Sequence, residues 1–191
     1  VLADGLERLA DQVADLLLAR GETVSLVARD EARLAEAVRV LSSDDPARAG
    51  RIFAAPADVG DGAALDRAVA AAVARFGTVD GLVASAGIVA PARFLEQNAA
   101  SFDRQIAINL TGVANSVRAV LPAMRAAGRG RVLIVSSGAG LIGIPGYSAY
   151  CASKFALRGL AASLRAEMAP AGIAVSICFP PDTLTPQFER E

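Results

Sequence analysis

The chain has 191 residues, a formal net charge of −1, 53% hydrophobic content, 5% aromatic content and no histidine. That length gives a single domain with room for a sizeable core, and the near-zero charge argues against a nucleic-acid or anionic-membrane surface as the main partner. Without histidine there is no Ser-His-Asp or Cys-His hydrolase and almost no route to a zinc enzyme, no metal site is expected, and the two cysteines, Cys151 and Cys178, make no disulfide framework, which points to a reducing cytoplasm.

In chain order, "LERLADQVADLLLARG" (6–21) has the spacing of an amphipathic helix. Glu22–Ala28 is a short β-like run, and Asp30–Leu41 returns to helical spacing with Leu34, Ala37, Val38 and Leu41 on one face. Arg51–Asp58 reads as a strand and its exit, and "GAALDRAVAAAVARFG" as a helix ended by Gly77. "VDGLVASAG" is a strand running into a glycine turn, a long helix spans Ser101–Gly128, and "RVLIVSS" is a strand ending at Ser137. A further helix starts at Ser148, and "IAVSICF" is the last strand. The uncharged run Val132–Ser153 reaches membrane-spanning length, but its Gly, Ser and Pro145 break it into a buried strand and a loop. No signal peptide is visible at Val1.

Strands alternate with helices, and the strands are nearly continuous apolar runs, the pattern of an α/β domain whose parallel sheet is covered on both faces. Ligands of such sheets sit at the carboxyl ends of the strands. Tyr150 and Lys154, in "YCASK", lie four residues apart on a helix and share a face. A cation about 5 Å from a phenol, at an effective dielectric of ~20, favours the phenolate by roughly 3 kcal/mol, which equips the phenol for proton transfer. Ser137, at a strand end thirteen residues before Tyr150, reads either as a second contact to the same substrate oxygen or as turn chemistry. Asn109 falls inside a helix, where asparagine is a poor former. A local bend or a satisfied core amide competes there with a role in holding water or Lys154.

Asn109, Ser137, Tyr150 and Lys154, in this order, resemble the short-chain dehydrogenase/reductase family over essentially the whole chain. "ADV", with Asp58 and Val59, and "ASAG", with Ala86 and Gly87, strengthen the resemblance; Ser85 stands where the family usually has asparagine. The resemblance implies a Rossmann-type doubly wound parallel sheet in a single domain over 1–191, and an oxidoreductase acting on a CH–OH or ketone group. In that family Tyr150 would protonate the carbonyl oxygen, Ser137 hold it, Lys154 favour the ionised phenol and bind the nicotinamide ribose, and Asn109 anchor a relay water. Asp58 and Val59 would lie by the adenine, and Ala86 and Gly87 against the cofactor.

The glycine loop departs from the family. Its T-G-x-x-x-G-x-G pattern lets backbone N–H groups approach a pyrophosphate. Here Gly5 remains, but Arg8 and Ala10, counted back from Gly21, or Leu9 and Asp11, counted forward from Gly5, stand where glycines are expected. An altered loop with weakened cofactor binding, a phosphate contact from Arg8, and a sequence incomplete at this end all fit. By the same resemblance, the start of the first strand, the substrate-covering segment and the last strand are expected to lie outside Val1–Glu191.

Arg29, at the exit of Glu22–Ala28, suits the 2′-phosphate of NADPH through a charge-assisted contact; the competing reading puts Asp30 on the ribose of NADH and leaves Arg29 solvated. The final exit, Phe179–Pro186, takes the place of the P-G-x-x-x-T that cradles the nicotinamide, which adds Pro180, Thr183 and Thr185 to the cofactor set. Its "PPDTLTP" resembles the P-P-D-T-D-T-P segment of the 3-ketodihydrosphingosine reductase branch of the family, Leu184 departing from the second aspartate. That likeness implies NADPH-dependent reduction of the 3-keto group of a long-chain sphingoid base, in sphingolipid synthesis. Asp182 would face the substrate ammonium or close an Asx turn, and Ile144 and Tyr147, in "LIGIPGY", would wall the alkyl chain. Two other readings stay open: a reductase of another lipid-like or small ketone, and a cofactor-poor member acting as a binding or assembly protein. The family also implies a homodimer or homotetramer through Ser101–Ala127 and Ser148–Ala169, and a lipid substrate implies peripheral contact with the cytoplasmic face of a membrane.

Overall fold

The computed structural model describes residues 7–181, with side chains from residue 10 onward. Gly5, Asp182, Thr183 and Thr185 lie outside the described residues, as does the side chain of Arg8. The chain runs α1 (Glu7–Ala19), β1 (Val24–Ala28), α2 (Glu31–Leu41), β2 (Ile52–Pro56), α3 (Gly62–Phe76), β3 (Gly81–Ala84), α4 (Ala99–Ile106), α5 (Val113–Ala127), β4 (Gly130–Val135), α6 (Ser148–Met168) and β5 (Ile173–Cys178).

Helix starts follow local chemistry. Asp30, Asp61 and Asn98 each accept a hydrogen bond from the backbone N–H three residues on, capping α2, α3 and α4. Gly77 ends α3 at φ 91°, a conformation that glycine adopts without steric cost. A 3-10 turn at Pro46–Arg51, capped by Asp45, precedes β2; the apolar spacing of the sequence gives no sign of it. Between α4 and α5 the helix does not break but widens into a π-helical segment, Ala107–Gly112, with Asn109 inside it. Gly112 is required there: a Cβ on it would lie 2.5 Å from Val59 Cγ2.

All strand pairing is parallel, in two ladders: β1 with β2, and β3–β4–β5 in that order. The sequence pattern calls for one sheet, but among the described residues no ladder joins β1 to β3. A cavity of about 90 Å³ lies between them, lined by Ala10, Val13, Ala14 and Leu17 of α1, by 23–26, and by Gly81 and Val83. Side-chain alternation sorts the helices onto the two faces. Val24, Leu26 and Ile52 pack with Leu18 of α1 and with Leu34 and Leu41 of α2, whereas Val27 and Ala55 pack with Leu65 and Ala68 of α3. Leu82, Val132, Ile134 and Val175 bury against Val113, Val117 and Val120 of α5 and Leu157 of α6. Residues just after β1, β2 and β3 line one cavity, and Lys154 stands beside both Gly87 after β3 and the end of β4, so the carboxyl ends of the two ladders lie on one side of the molecule.

Candidate active site

Lys154 organises the exits of β3, β4 and β5. Its side chain is 1% exposed, its Nζ donates to the carbonyl of Val135 at 3.2 Å, and Nζ lies 5.6 Å from the Tyr150 ring centroid. Burial brings the Lys154 ammonium down to about 8, and the charge of a Cys178 thiolate opposes that shift. The Cys178 thiol is itself pushed up, chiefly by burial. The four-residue spacing thus does place the ammonium against the tyrosine. Tyr150 is half-buried and packs edge-on to Tyr147, centroids 6.4 Å apart.

The β4 exit is bolted to the same turn of α6. Ser136 Oγ donates to the Lys154 carbonyl at 3.0 Å. Gly140 permits this approach, because a Cβ there would sit 2.5 Å from Ser136 Oγ and 3.0 Å from the Lys154 carbonyl oxygen. Ser137 follows, half-buried, its Oγ accepting from Ala139 N–H at 3.2 Å. The turn reading of Ser137 is therefore present in the structure, and the hydroxyl proton remains for another acceptor. Beyond the strand ends, Ser136 N–H donates to Cys178 O at 2.9 Å and Gly138 N–H to Pro180 O at 3.1 Å. Pro180 is thereby held next to Ser137.

Asn109 is fully buried. Its Oδ1 accepts from Ile88 N–H at 2.7 Å, and its Nδ2 donates to Ile88 O at 2.9 Å and to Ser153 Oγ at 3.0 Å. Both side-chain protons are thus committed to protein acceptors, and the amide holds the β3 exit in place. Gln105, also buried, holds the same loop one step on by accepting from Ala90 N–H at 3.2 Å. Ala92 N–H donates to Gly146 O at 2.8 Å, tying this loop to "LIGIPGY". In that second loop Leu141, Ile142 and Ile144 are 50%, 63% and 37% exposed, an apolar lip beside Tyr147.

The exits of β1 and β2 form a separate recess. Ala28, Arg29, Ala57, Asp58, Val59, Gly87, Ile88 and Ile108 line a small cavity of about 20 Å³. Arg29 and Asp58 face each other at 4.0 Å, with 37% and 47% of their side chains exposed. Asp58 Oδ1 also accepts from Gly60 N–H at 2.8 Å, and Asn115 Nδ2 donates to Val59 O at 3.0 Å. Ala86 is buried in the core beneath this recess. Asp30 accepts from Arg33 N–H at 3.1 Å and is committed to the α2 terminus. These residues fit the nucleotide half of a dinucleotide: small floor residues, one acid and one cation. Gly87 lies between this recess and Lys154: a Cβ on it would make ordinary contact, 3.5 Å from Nζ and 3.6 Å from Asn109 Oδ1.

Sequence reasoning missed Ser136, Ser153, Gln105, Gly112 and Gly140. Two of them carried a signal. A glycine such as Gly112 inside a helical pattern costs about 1 kcal/mol relative to alanine and marks a close approach. A serine such as Ser153, on the turn between a tyrosine and a lysine of one helix, has a hydroxyl that must find partners once buried.

A parallel α/β fold with a buried lysine beside a tyrosine at the strand exits, next to a recess lined by Arg29 and Asp58, matches the pattern of a known family. The short chain dehydrogenase family model matches residues 5–191, and the chain belongs to that family. It is similar to the 3-ketodihydrosphingosine reductase of Bos taurus, 34% identical over 192 residues that cover 100% of this chain and 58% of the relative. It is also similar to the 3-dehydrosphinganine reductase TSC10B of Arabidopsis thaliana, 40% identical over 182 residues, 94% of this chain and 53% of the relative. Among solved structures, levodione reductase superposes with a TM-score of 0.90 at 32% identity, covering 95% of this chain and 70% of that one. The chain spans little more than half the length of these curated relatives. The family and its Rossmann-fold neighbours bind nicotinamide cofactors. No helix among the described residues is long and apolar enough to cross a membrane.

Proposed function

We propose that this chain reduces the 3-keto group of a long-chain sphingoid ketone, 3-ketodihydrosphingosine, to the alcohol, with NADPH as the cofactor. The observation that carries the reading is the Lys154 ammonium, buried at the meeting point of the β3, β4 and β5 exits and set 5.6 Å from the Tyr150 ring. A ketone taking up hydride develops alkoxide character, and a placed donor stabilises it. Tyr150 supplies that proton, Ser137 donates its remaining hydroxyl hydrogen to the same oxygen, and the Lys154 charge favours the phenolate left behind. The bound nicotinamide supplies the hydride. Asn109 and Gln105 act earlier, by fixing the loop on which the substrate and cofactor would rest.

NADPH is favoured because Asp30, the acid that directly follows Arg29 at the β1 exit, is engaged in capping α2, while Arg29 lines the recess. A 2′-phosphate accepts charge-assisted bonds from a guanidinium. The sphingoid substrate rests on the names of the similar reductases and on the uncharged lip of Leu141, Ile142 and Ile144, which suits an alkyl chain. On this reading the protein works as a homodimer or homotetramer through α4–α5 and α6, and meets its lipid at a membrane surface from the cytoplasmic side.

The test is lipid mass spectrometry of a reaction holding 3-ketodihydrosphingosine and NADPH, beside a panel of short-chain ketones. Dihydrosphingosine formed in step with NADPH consumption is the expected result. Turnover of the small ketones alone would replace the sphingoid assignment with that of another ketone reductase. An absence of nicotinamide binding up to millimolar concentrations would favour a binding or assembly protein.

A further inference from the structure

Ser153 lies on α6 between Tyr150 and Lys154 and is 0% exposed. Its hydroxyl has one proton to give and two lone pairs. The proton goes to the Tyr150 carbonyl at 2.7 Å, and a lone pair receives Nδ2–H of Asn109 at 3.0 Å. Serines in helix interiors often bond back to the preceding turn; here that bond has a second consequence. With its proton committed, Ser153 can present only an acceptor to Asn109. A side-chain amide has two orientations, its oxygen and its NH2 trading places. Ile88 requires an acceptor for its N–H and a donor for its C=O, and both Asn109 contacts satisfy it. Ser153 demands a donor at the remaining position, and the same orientation of the amide meets that demand.

We infer that Ser153 is a positioning residue that fixes the Asn109 amide and so couples the Tyr150–Lys154 turn of α6 to the β3 exit. The inference rests on the proposed oxidoreductase reading of Tyr150 and Lys154. The coupled pieces are in contact: Gly87, next to Ile88, stands beside the Lys154 ammonium, where an added Cβ would come within 3.5 Å of Nζ. Three distant stretches, around residues 88, 109 and 153, thereby meet in one buried hydrogen-bond chain. Loss of the hydroxyl leaves an Asn109 proton buried without an acceptor and releases the orientation of the loop relative to the lysine.

Ser153→Ala, Ser153→Thr, Asn109→Ala and the Ser153→Ala/Asn109→Ala double variant are compared for kcat, KM and pH profile with 3-ketodihydrosphingosine and NADPH. Ser153→Ala is expected to lower kcat by about 10-fold and to displace the ionisation limb of the kcat profile, with KM changed less than about 3-fold. Ser153→Thr, which keeps the hydroxyl, restores kcat toward the parent. The double variant is expected within about 2-fold of Asn109→Ala, because residues of one network do not add. A lower Tm with unchanged kcat and pH profile would overturn the inference, as would losses that multiply in the double variant. A measurement independent of turnover is the exchange of the Asn109 Nδ2 protons in 15N-asparagine-labelled protein. Exchange at least ~10-fold faster in Ser153→Ala supports the coupling, and equal exchange refutes it. Tyr150→Phe, assayed in parallel, separates the two levels: retained turnover there sinks the functional reading, whereas a dead Tyr150→Phe with an unaltered Ser153→Ala sinks only the positioning role.

Discussion

The exits of β1 and β2 and the exits of β3, β4 and β5 face the same side of the molecule but are held by different forces. The first pair presents Arg29 and Asp58 half in water, 4.0 Å apart, over a floor of alanines. Such an exposed pair contributes little to stability, and salt screens it. The second group buries Asn109, Ser136, Ser153 and Lys154 at 1% exposure or less and holds them by side chain–backbone hydrogen bonds and by the Asn109–Ser153 side-chain bond. In low dielectric a satisfied network holds geometry and an unsatisfied one is costly. Substitutions in the recess should therefore change which cofactor binds and leave the fold alone, while substitutions around Lys154 should change rate and stability together.

The largest break is expected from Lys154→Met. Removing a group that acts on the proton donor should lower turnover by about 10²–10⁴-fold. Stability should move the other way. The ordinary lysine value is 10.5, and burial brings the folded one to about 8. Folding therefore disfavours the ammonium. Between pH 8 and 10.5 the unfolded chain binds more protons than the folded one, so this group makes the protein more stable as pH rises through that window. Below pH 8 the full cost is present, on the order of 3 kcal/mol. Lys154→Met should have the higher Tm at pH 7, an advantage that shrinks and disappears by about pH 10.5. Thermal melts of both proteins from pH 6 to 10.5 check this; a variant less stable at pH 7 would show that the Val135 hydrogen bond outweighs the desolvation.

These two regions also differ in how much of them the sequence discloses. Tyr150 and Lys154 are legible because the i, i+4 geometry of a helix is local, and Ser137 because it ends an apolar run. The apolar runs that mark β1, β2, β4 and β5 are local too, and Asp30, read as the first residue of a helix, proves to be its cap, one position before the first helical residue. The Asn109–Ser153 bond spans 44 positions and has no local trace. Asparagine, threonine and glycine crowded into "NLTG" do warn of an irregular helix, but the π widening that turns Asn109 toward Ile88 is set by tertiary contacts, including Gly112 against Val59. The separation of β1 from β3 is likewise beyond periodicity, which assigns strands but not their neighbours.

In the recess, Arg29→Ala should raise the KM for NADPH by about 10–100-fold, the worth of one or two charge-assisted hydrogen bonds, and leave the KM for NADH within about 3-fold. Steady-state kinetics with both cofactors check it, and equal effects would remove Arg29 from the specificity site. Because the side chain is half-exposed, the NADPH effect should weaken as salt rises from 50 to 500 mM. The Tm is expected to stay within about 2 °C of the parent, in contrast to the Lys154 variant, since no buried group loses a partner.

The smallest effect decides most about cofactor choice. Asp30 competes with Arg29 for the same corner, and the structure commits its carboxylate to Arg33 N–H at the start of α2. If capping is its work, Asp30→Ala should cost about 1 kcal/mol of stability, as loss of an N-cap does, and Asp30→Asn, an equally good cap, should cost almost nothing. Neither should alter the ratio of NADPH to NADH efficiency by more than about 2-fold. If Asp30 instead binds a ribose hydroxyl, both variants should weaken NADH alone, since asparagine lacks the charge that makes the acceptor strong. Asparagine keeps the cap and changes the charge, so the Asp30→Asn arm separates the two roles of a single carboxylate. A selective rise in the KM for NADH in that variant would reverse the cofactor assignment without disturbing any conclusion about Tyr150 and Lys154.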